Sequence, residues 1–386
     1  MREGKMNSMN RPEATISQTA FFNALFYTGS ELVKERVLLT EGGVITGFTD
    51  VDSVPVDAQR VDCKGYLVTA GLIDLQIAGS GGYLFSSNPT PEALAAITGS
   101  ILATGTTGFL LALPTNTMEV YHDAFRAVRE HPHPAILGLH LEGPFISHAK
   151  RGAHARELIR VPTAEIVTEL LAEGAGTVRM MTVAPEVCTR EVIMALKDHG
   201  ITVSAGHSNA TFREASEGFA AGIETTTHLF NAMSPIHHRD PGLPGAVFNS
   251  DTARASIIAD GIHVDFTMLT IAKKIMKDRL LLVSDAVEEN DRGAYRHVLQ
   301  PDRYTLPDGT LSGARLTMLD AVKNCVRHAG IDLYEAIRMA SLYPAQLIKA
   351  SDRGLIAPGA RADLIMTDSN MDLRGLFFNG KIEFQN

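Results

Sequence analysis

The sequence predicts an α/β fold: a (β/α)8 TIM-like barrel with a small β-sandwich built from both chain ends. Eight short apolar runs alternate with helical stretches through the middle of the chain. Both ends instead carry short strands split by turn residues. Neither end is long enough to bury a core alone, so the two are expected to combine. A doubly wound sheet is the structural alternative, but it rarely needs eight uninterrupted units.

Residues 1–16 read as a disordered leader, because they lack the apolar core of a signal peptide. Residues 17–67 form the first part of the sandwich. Their apolar runs Ala24–Tyr27, Arg36–Leu39 and Gly43–Phe48 are punctuated by Thr28-Gly29 and Glu41-Gly42-Gly43. The barrel spans residues 68–348. Its strands are expected at Leu72–Ala78, Gly108–Leu113, Ile136–Glu142, Val178–Val183, Thr202–His207, Glu224–Leu229, Ala253–Ala259 and Leu280–Asp285. Helices are expected at Pro91–Ala103, Met118–His131, Ala164–Glu173, Arg190–His199, Thr211–Ala221 and Phe266–Lys277. Two more, Met318–Ala329 and Leu333–Ile348, close the domain. Residues 349–386 complete the sandwich with the runs Gly354–Ile356, Ala362–Met366 and Leu376–Ile382.

Composition narrows the function. The chain has 386 residues, 45% hydrophobic and 20% charged, the balance of a soluble globular protein. With 35 basic against 44 acidic residues its net charge is −9, which argues against nucleic acid or an anionic membrane as the main partner. No apolar run approaches the length of a membrane span. Cys63, Cys188 and Cys325 are odd in number and far apart, so neither a disulfide framework nor a paired-cysteine metal site is expected. A reducing cytoplasm fits best.

A barrel forms its active site at the C-terminal ends of its strands. Read only at those tips, the sequence shows Gln76 on the first strand, Glu142 on the third, His207 on the fifth and His228 on the sixth. His263 follows the seventh strand and Asp285 ends the eighth. Glu142 lies in Leu139-His140-Leu141-Glu142-Gly143-Pro144, at the end of a run too apolar to face water. A carboxylate there needs a cation or a proton nearby. A salt-bridged or capping glutamate is the plain alternative.

Glu142, His207 and His228 together are the donor set of a catalytic zinc site, three protein ligands with room for water. Such an ion supplies hydroxide near neutral pH. Asp285 then suits a general base that takes the water proton and returns it to a leaving group. Its plain alternative is a structural carboxylate capping the next segment. His263 is placed to polarise a substrate carbonyl. His237-His238-Arg239 forms a basic cluster after the sixth strand. Arginine donors there suit phosphate oxygens, unless the cluster is merely a solvated loop.

These stretches resemble the amidohydrolase superfamily, and within it the N-acetylglucosamine-6-phosphate deacetylases. The resemblance rests on residues 139–145 (LHLEGPF), 152–154 (GAH), 184–186 (APE), 204–211 (SAGHSNAT) and 227–233 (THLFNAM). It continues through 239–242 (RDPG), 258–265 (IADGIHVD), 311–313 (LSG) and 341–345 (SLYPA). It implies that Glu142, His207 and His228 hold the metal, that Asp285 is the acid/base residue, and that His263 steadies the acetamide carbonyl. Ala153, His154, Leu311, Ser312 and Gly313 would line the sugar pocket. Asn231, Ala232 and Arg239 would receive the 6-phosphate, with Arg239 reaching into a neighbouring subunit of a homodimer. The substrate so implied is a phosphorylated N-acetyl amino sugar, with no nucleic-acid or membrane partner.

One departure bears on the metal. Many amidohydrolases carry His-x-His at the end of strand one, and here Gln76 and Ala78 stand there. Strand four also lacks the lysine that bridges two metals in relatives. One divalent ion per subunit is therefore expected, Zn²⁺ first, although the donor set also suits Fe²⁺, Co²⁺ and Mn²⁺. Gln76 is left to hydrogen-bond near the site or to hold a weak second ion. Residues 287–292, acidic at Glu288, Glu289 and Asp291, read as a mobile loop without an assigned role. Three alternatives stay open. One is the N-acetylgalactosamine 6-phosphate substrate, another a cyclic-amide hydrolase, and the third a catalytically silent scaffold.

Overall fold

The computed structural model describes residues 18–385, so the expected leader over 1–16 lies outside the described residues. Its centre is a sheet of eight parallel strands: β1 (Leu72–Ile77), β2 (Thr106–Pro114), β3 (Ile136–Glu142), β4 (Val178–Val183), β5 (Thr202–Ala205), β6 (Thr225–Thr226), β7 (Arg254–Ile257) and β8 (Leu280–Leu282). Each strand pairs with the next in sequence. Every residue of β1 and β2 is buried, as expected for strands covered on both faces.

The barrel closes where the end of β1 meets the segment after β8. Ile77 bridges Ala286 in parallel. The Asp285 N–H donates to the Gln76 carbonyl at 2.9 Å, and the Ala78 N–H to the Ala286 carbonyl at 2.8 Å. Side chains reinforce the seam. The buried Asp74 carboxylate accepts the Ser284 N–H at 3.2 Å and the Ser284 hydroxyl at 2.5 Å.

Around the barrel run α1 (Pro91–Leu102), α2 (Met118–Glu130), α3 (Ala164–Glu173), α4 (Arg190–Asp198), α5 (Phe212–Ala221), α6 (Gly242–Asn249), α7 (Phe266–Met276), α8 (Met318–Ala329), α9 (Leu333–Ala340) and α10 (Leu342–Leu347). Threonine hydroxyls cap the first turns of α1 to α5 and of α8, satisfying N–H groups that the helix leaves open. Asp265 and Asp332 cap α7 and α9, whereas α6 and α10 have no side-chain cap. The α6 sequence GLPGAVFN carries two glycines and a proline. That composition hid it from the sequence reading.

Strands β5 to β8 stop short of the predicted ends. Predicted strand five ran to His207 and strand eight to Asp285, yet the ladders end at Ala205 and Leu282. His207, His228 and Asp285 all have positive φ (46°, 36° and 52°), which breaks the extended chain at those points.

The two chain ends combine as the fold class required. A four-stranded sheet holds Gln18–Phe22, Val37–Glu41, Val44–Thr49 and Gln59–Asp62. A six-stranded sheet mixes Leu25–Tyr27, Leu32–Val33 and Leu67–Ala70 with Leu364–Thr367, Leu373–Phe378 and Lys381–Gln385. One core, including Phe21, Leu38, Val68, Leu364 and Phe377, fills the space between them. The predicted run Leu376–Ile382 is a hairpin turning at Asn379-Gly380, and Gly354–Ile356 is not a strand.

Candidate active site

Three side chains converge at the mouth of the barrel. Glu142 ends β3, while His207 and His228 follow β5 and β6. All three are buried. Glu142 Oε1 lies 3.1 Å from His207 Nε2 and 2.9 Å from His228 Nε2, and the two Nε2 atoms are 3.1 Å apart. Four ligands held at about 2.0–2.2 Å around a tetrahedral ion stand roughly 3.3–3.6 Å from one another. The observed triangle is only slightly tighter. The left-handed φ at both histidines, uncommon for a residue with a Cβ, swings each ring from its strand into the mouth.

Distance alone permits a second triad, since Glu142, His154 and His207 present ligand atoms within 4.8 Å of one another. Tautomers separate the two. His207 Nδ1 donates to the Lys150 carbonyl at 3.0 Å, so its Nε2 turns a lone pair toward Glu142. His154 Nδ1 instead accepts the Thr115 N–H at 3.3 Å, with the Thr115 hydroxyl also 2.8 Å away. Its proton therefore sits on Nε2, directed at Glu142 Oε2 3.5 Å away. His154 is a donor to the carboxylate, whereas His207 is built to bind a cation. His228 Nδ1 is buried without a partner among the described residues, and its Nε2 is the ring atom that faces Glu142 Oε1. A carboxylate oxygen and two imidazole nitrogens converging this closely are the donor set of a divalent ion, so such an ion fits.

The electrostatics agree. Burial pushes the Glu142 carboxyl up, but contacts from His154, His207 and His228 outweigh it and hold it well below the usual range. Burial takes His207 down to about 4, with His154 adding to the effect. Burial also opposes charge on His228, yet Glu142 and Asp285 raise it overall. Asp285 is pushed up to about 7, first by burial and then by the Glu142 charge, against the pull of His228 and His263.

Gln76 lies beneath both carboxylates. Its amide Nε2 donates to Glu142 Oε1 and to Asp285 Oδ1, each at 2.9 Å. Its carbonyl Oε1 is buried without a partner among the described residues and is not the atom turned to the carboxylates. The amide thus faces the site as a donor, which suits a bridge rather than a metal ligand. His263 Nδ1 contacts Asp260 Oδ2 at 2.6 Å, and Asp260 Oδ1 accepts the N–H groups of Ile262 and His263 at 2.8 Å. With Nδ1 engaged, Nε2 is the ring atom left for a substrate.

Deeper in the barrel a one-way chain of donors ties the strands together. His140 Nδ1 donates to the Leu75 carbonyl at 2.9 Å, which leaves Nε2 to accept from the Thr182 hydroxyl at 2.7 Å. Thr182 then accepts from Thr227, and Thr227 from Ser204, both at 2.6 Å.

Above these groups opens a cavity of about 280 Å³. Glu142, His207, His228, Asp285 and His263 line it, and so do Ala153, His154, Asn231 and Ala232. Leu311, Ser312 and Gly313 complete the set expected from the sequence. Arg239 is not among them and stands exposed on its loop. Tyr295, His297, Val287 and Leu84 also line the cavity and went unread in the sequence. They come from irregular segments or, for Leu84, a two-residue strand, too short for periodicity to mark a side chain as inward. The acidic stretch is anchored too: Glu288 Oε2 accepts the Gly82 N–H at 2.9 Å, and the Asn290 amide donates to Ser87 Oγ at 3.2 Å.

Comparison with known proteins agrees with this geometry. A model described as "Amidohydrolase family" matches residues 67–383. The chain is 35% identical over 378 residues to the N-acetylglucosamine-6-phosphate deacetylase of Haemophilus influenzae, covering 94% of this chain and 98% of that protein. The crystal structure of N-acetylglucosamine-6-phosphate deacetylase from Pasteurella multocida superimposes with a TM-score of 0.92 at 35% identity, covering 95% of this chain and 100% of that one. A mutant of the Mycobacterium smegmatis enzyme, in complex with N-acetyl-D-glucosamine-6-phosphate, gives a TM-score of 0.87 at 28% identity, with 95% and 99% covered. With a barrel, a carboxylate–histidine cluster and matches running over nearly its whole length, the chain belongs to the amidohydrolase family.

Proposed function

We propose that the chain is a metal-dependent deacetylase that hydrolyses N-acetyl-D-glucosamine 6-phosphate to acetate and glucosamine 6-phosphate. The observation that carries this reading is the convergence of Glu142, His207, His228 and Asp285 on one cavity. Glu142, His207 and His228 would hold one divalent ion, zinc in the first instance. When bound, such an ion supplies Lewis acidity that polarises an amide carbonyl and acidifies water near neutral pH.

The chain's own residues do the rest. Asp285 takes a proton from the attacking water and returns it to the departing nitrogen as the C–N bond breaks. Gln76 holds that carboxylate by Oδ1, leaving its other oxygen for the proton. His263, anchored by Asp260 through Nδ1, presents Nε2 to the acetamide oxygen. Asn231 and Ala232 offer polar groups for the phosphate. Arg239, exposed on its own chain, suits the pocket of a second copy, so the working unit is a homodimer. Three buried free thiols, Cys63, Cys188 and Cys325, fit a reducing cytoplasm.

The test is acetate release from N-acetylglucosamine 6-phosphate by metal-loaded protein, with bound metal measured on the same sample. Turnover with one ion per chain supports the reading, and no acetate from metal-loaded protein contradicts it. Replacing Arg239 by Ala should raise KM about tenfold or more with kcat little changed. An unchanged KM removes Arg239 from phosphate binding.

A further inference from the structure

A sugar ring brings hydroxyl groups that a buried pocket must match with donors or acceptors. Most polar atoms on the cavity wall are already committed. The Tyr295 hydroxyl donates to the Thr115 carbonyl. His154 is engaged by Thr115 and Glu142. Beyond His263 and Asn231, assigned above to the acetamide and the phosphate, His297 also keeps an open atom. Its side chain lines the cavity, the residue is only 5% exposed, and its Nε2 has no hydrogen-bond partner among the described residues.

The His297 ring is held in place. Nδ1 lies 2.9 Å from Ser312 Oγ. The Tyr295 ring runs nearly parallel to it, 14° between planes with centroids 6.4 Å apart. The Ser312 N–H is fixed to the Tyr304 carbonyl at 3.0 Å, and the His297 carbonyl accepts the Asn290 N–H at 3.1 Å. Burial drives the imidazole down to about 4, so near neutral pH it is uncharged. It presents a single directional atom rather than a diffuse cation.

We propose that His297, oriented by Ser312, reads a ring hydroxyl of the N-acetylhexosamine and thereby sets which sugar epimer the pocket accepts. The proposal rests on the deacetylase reading above. The physical reason is that a fixed neutral nitrogen rewards a hydroxyl at one position only. An epimer that moves the hydroxyl leaves both partners dry and unpaired. Such discrimination falls on kcat/KM, because a misplaced ring also misplaces the acetamide.

The test is kcat/KM on N-acetylglucosamine 6-phosphate and N-acetylgalactosamine 6-phosphate, for the wild type and for His297→Phe, His297→Gln and Ser312→Ala. The wild type should prefer one epimer. His297→Phe should cut that preference about tenfold or more while bound metal stays at the wild-type level. His297→Gln, which keeps a hydrogen-bonding end, should retain part of it. Ser312→Ala, which frees the ring, should lose an intermediate share. If the Phe variant does not fold, the other two decide. No epimer preference in the wild type, or an unchanged ratio in folded, metal-loaded variants, overturns the proposal. Failure to release acetate from either sugar would instead strike the deacetylase reading itself.

Discussion

Asp285 sits between opposing demands. Burial and the Glu142 charge push its carboxyl up to about 7, while His228 and His263 favour the ionised form. A base must be ionised to accept a proton, so activity should fall as pH drops through the Asp285 pKa. A divalent ion held by its neighbours moves that limb below 7. Asp74, itself pushed up to about 6 by burial, adds negative charge that raises Asp285 further. Asp74→Asn should therefore shift the acid limb of kcat/KM to lower pH, and a shift upward contradicts this electrostatic reading. Asp285→Asn should lower kcat by three orders of magnitude or more, taking proton transfer and its positioning together, with bound metal retained. Normal turnover in that variant removes Asp285 from catalysis. The polar tips were legible from sequence because titratable residues recur at one end of several apolar runs. The roles of His154 and Gln76 were not, since they turn on which nitrogen or amide atom faces Glu142.

At the scale of elements, the strand tips explain both what was readable and what was overrun. Periodicity placed all eight barrel strands, but it cannot see a left-handed residue, so predicted strands five, six and eight ran on through His207, His228 and Asp285. Those departures from extended backbone are what aim the side chains. The seam between β1 and β8 was equally hidden, because it depends on Asp74 meeting Ser284, 210 residues apart. Ser284→Ala removes a hydroxyl from a fully buried carboxylate and should cost about 1–3 kcal/mol in chemical denaturation. No loss of stability would show that the seam does not depend on that contact. Near His207, the capping box of Thr211 and Glu214 starts α5, while Glu186 accepts the Ser208 hydroxyl at 2.7 Å. The cap is plain in the sequence as Thr-x-x-Glu, whereas the Glu186 clamp is not.

Across the whole molecule, two pieces of chain too small to fold alone form one sandwich. That was readable from their size and texture, and its register was not. The Phe21 and Phe377 rings, 356 positions apart in sequence, meet edge to face with centroids 4.9 Å apart. Phe377→Ala should lower stability by about 3–5 kcal/mol, since both rings are fully buried. A loss below about 1 kcal/mol would mean that the two ends contribute little to each other. Among the described residues no helix is long and apolar enough to cross a membrane. The groups that carry the proposed chemistry gather at the barrel mouth.

Everything proposed for that face depends on which side chains hold the metal. The direct measurement is metal content per chain, by elemental analysis, of the wild type, His228→Asn and His154→Asn prepared identically. One ion in the wild type, retained by His154→Asn and lost by His228→Asn, is the expected result. Metal lost from the His154 variant but kept by the His228 variant would contradict it and move the centre to the other triad.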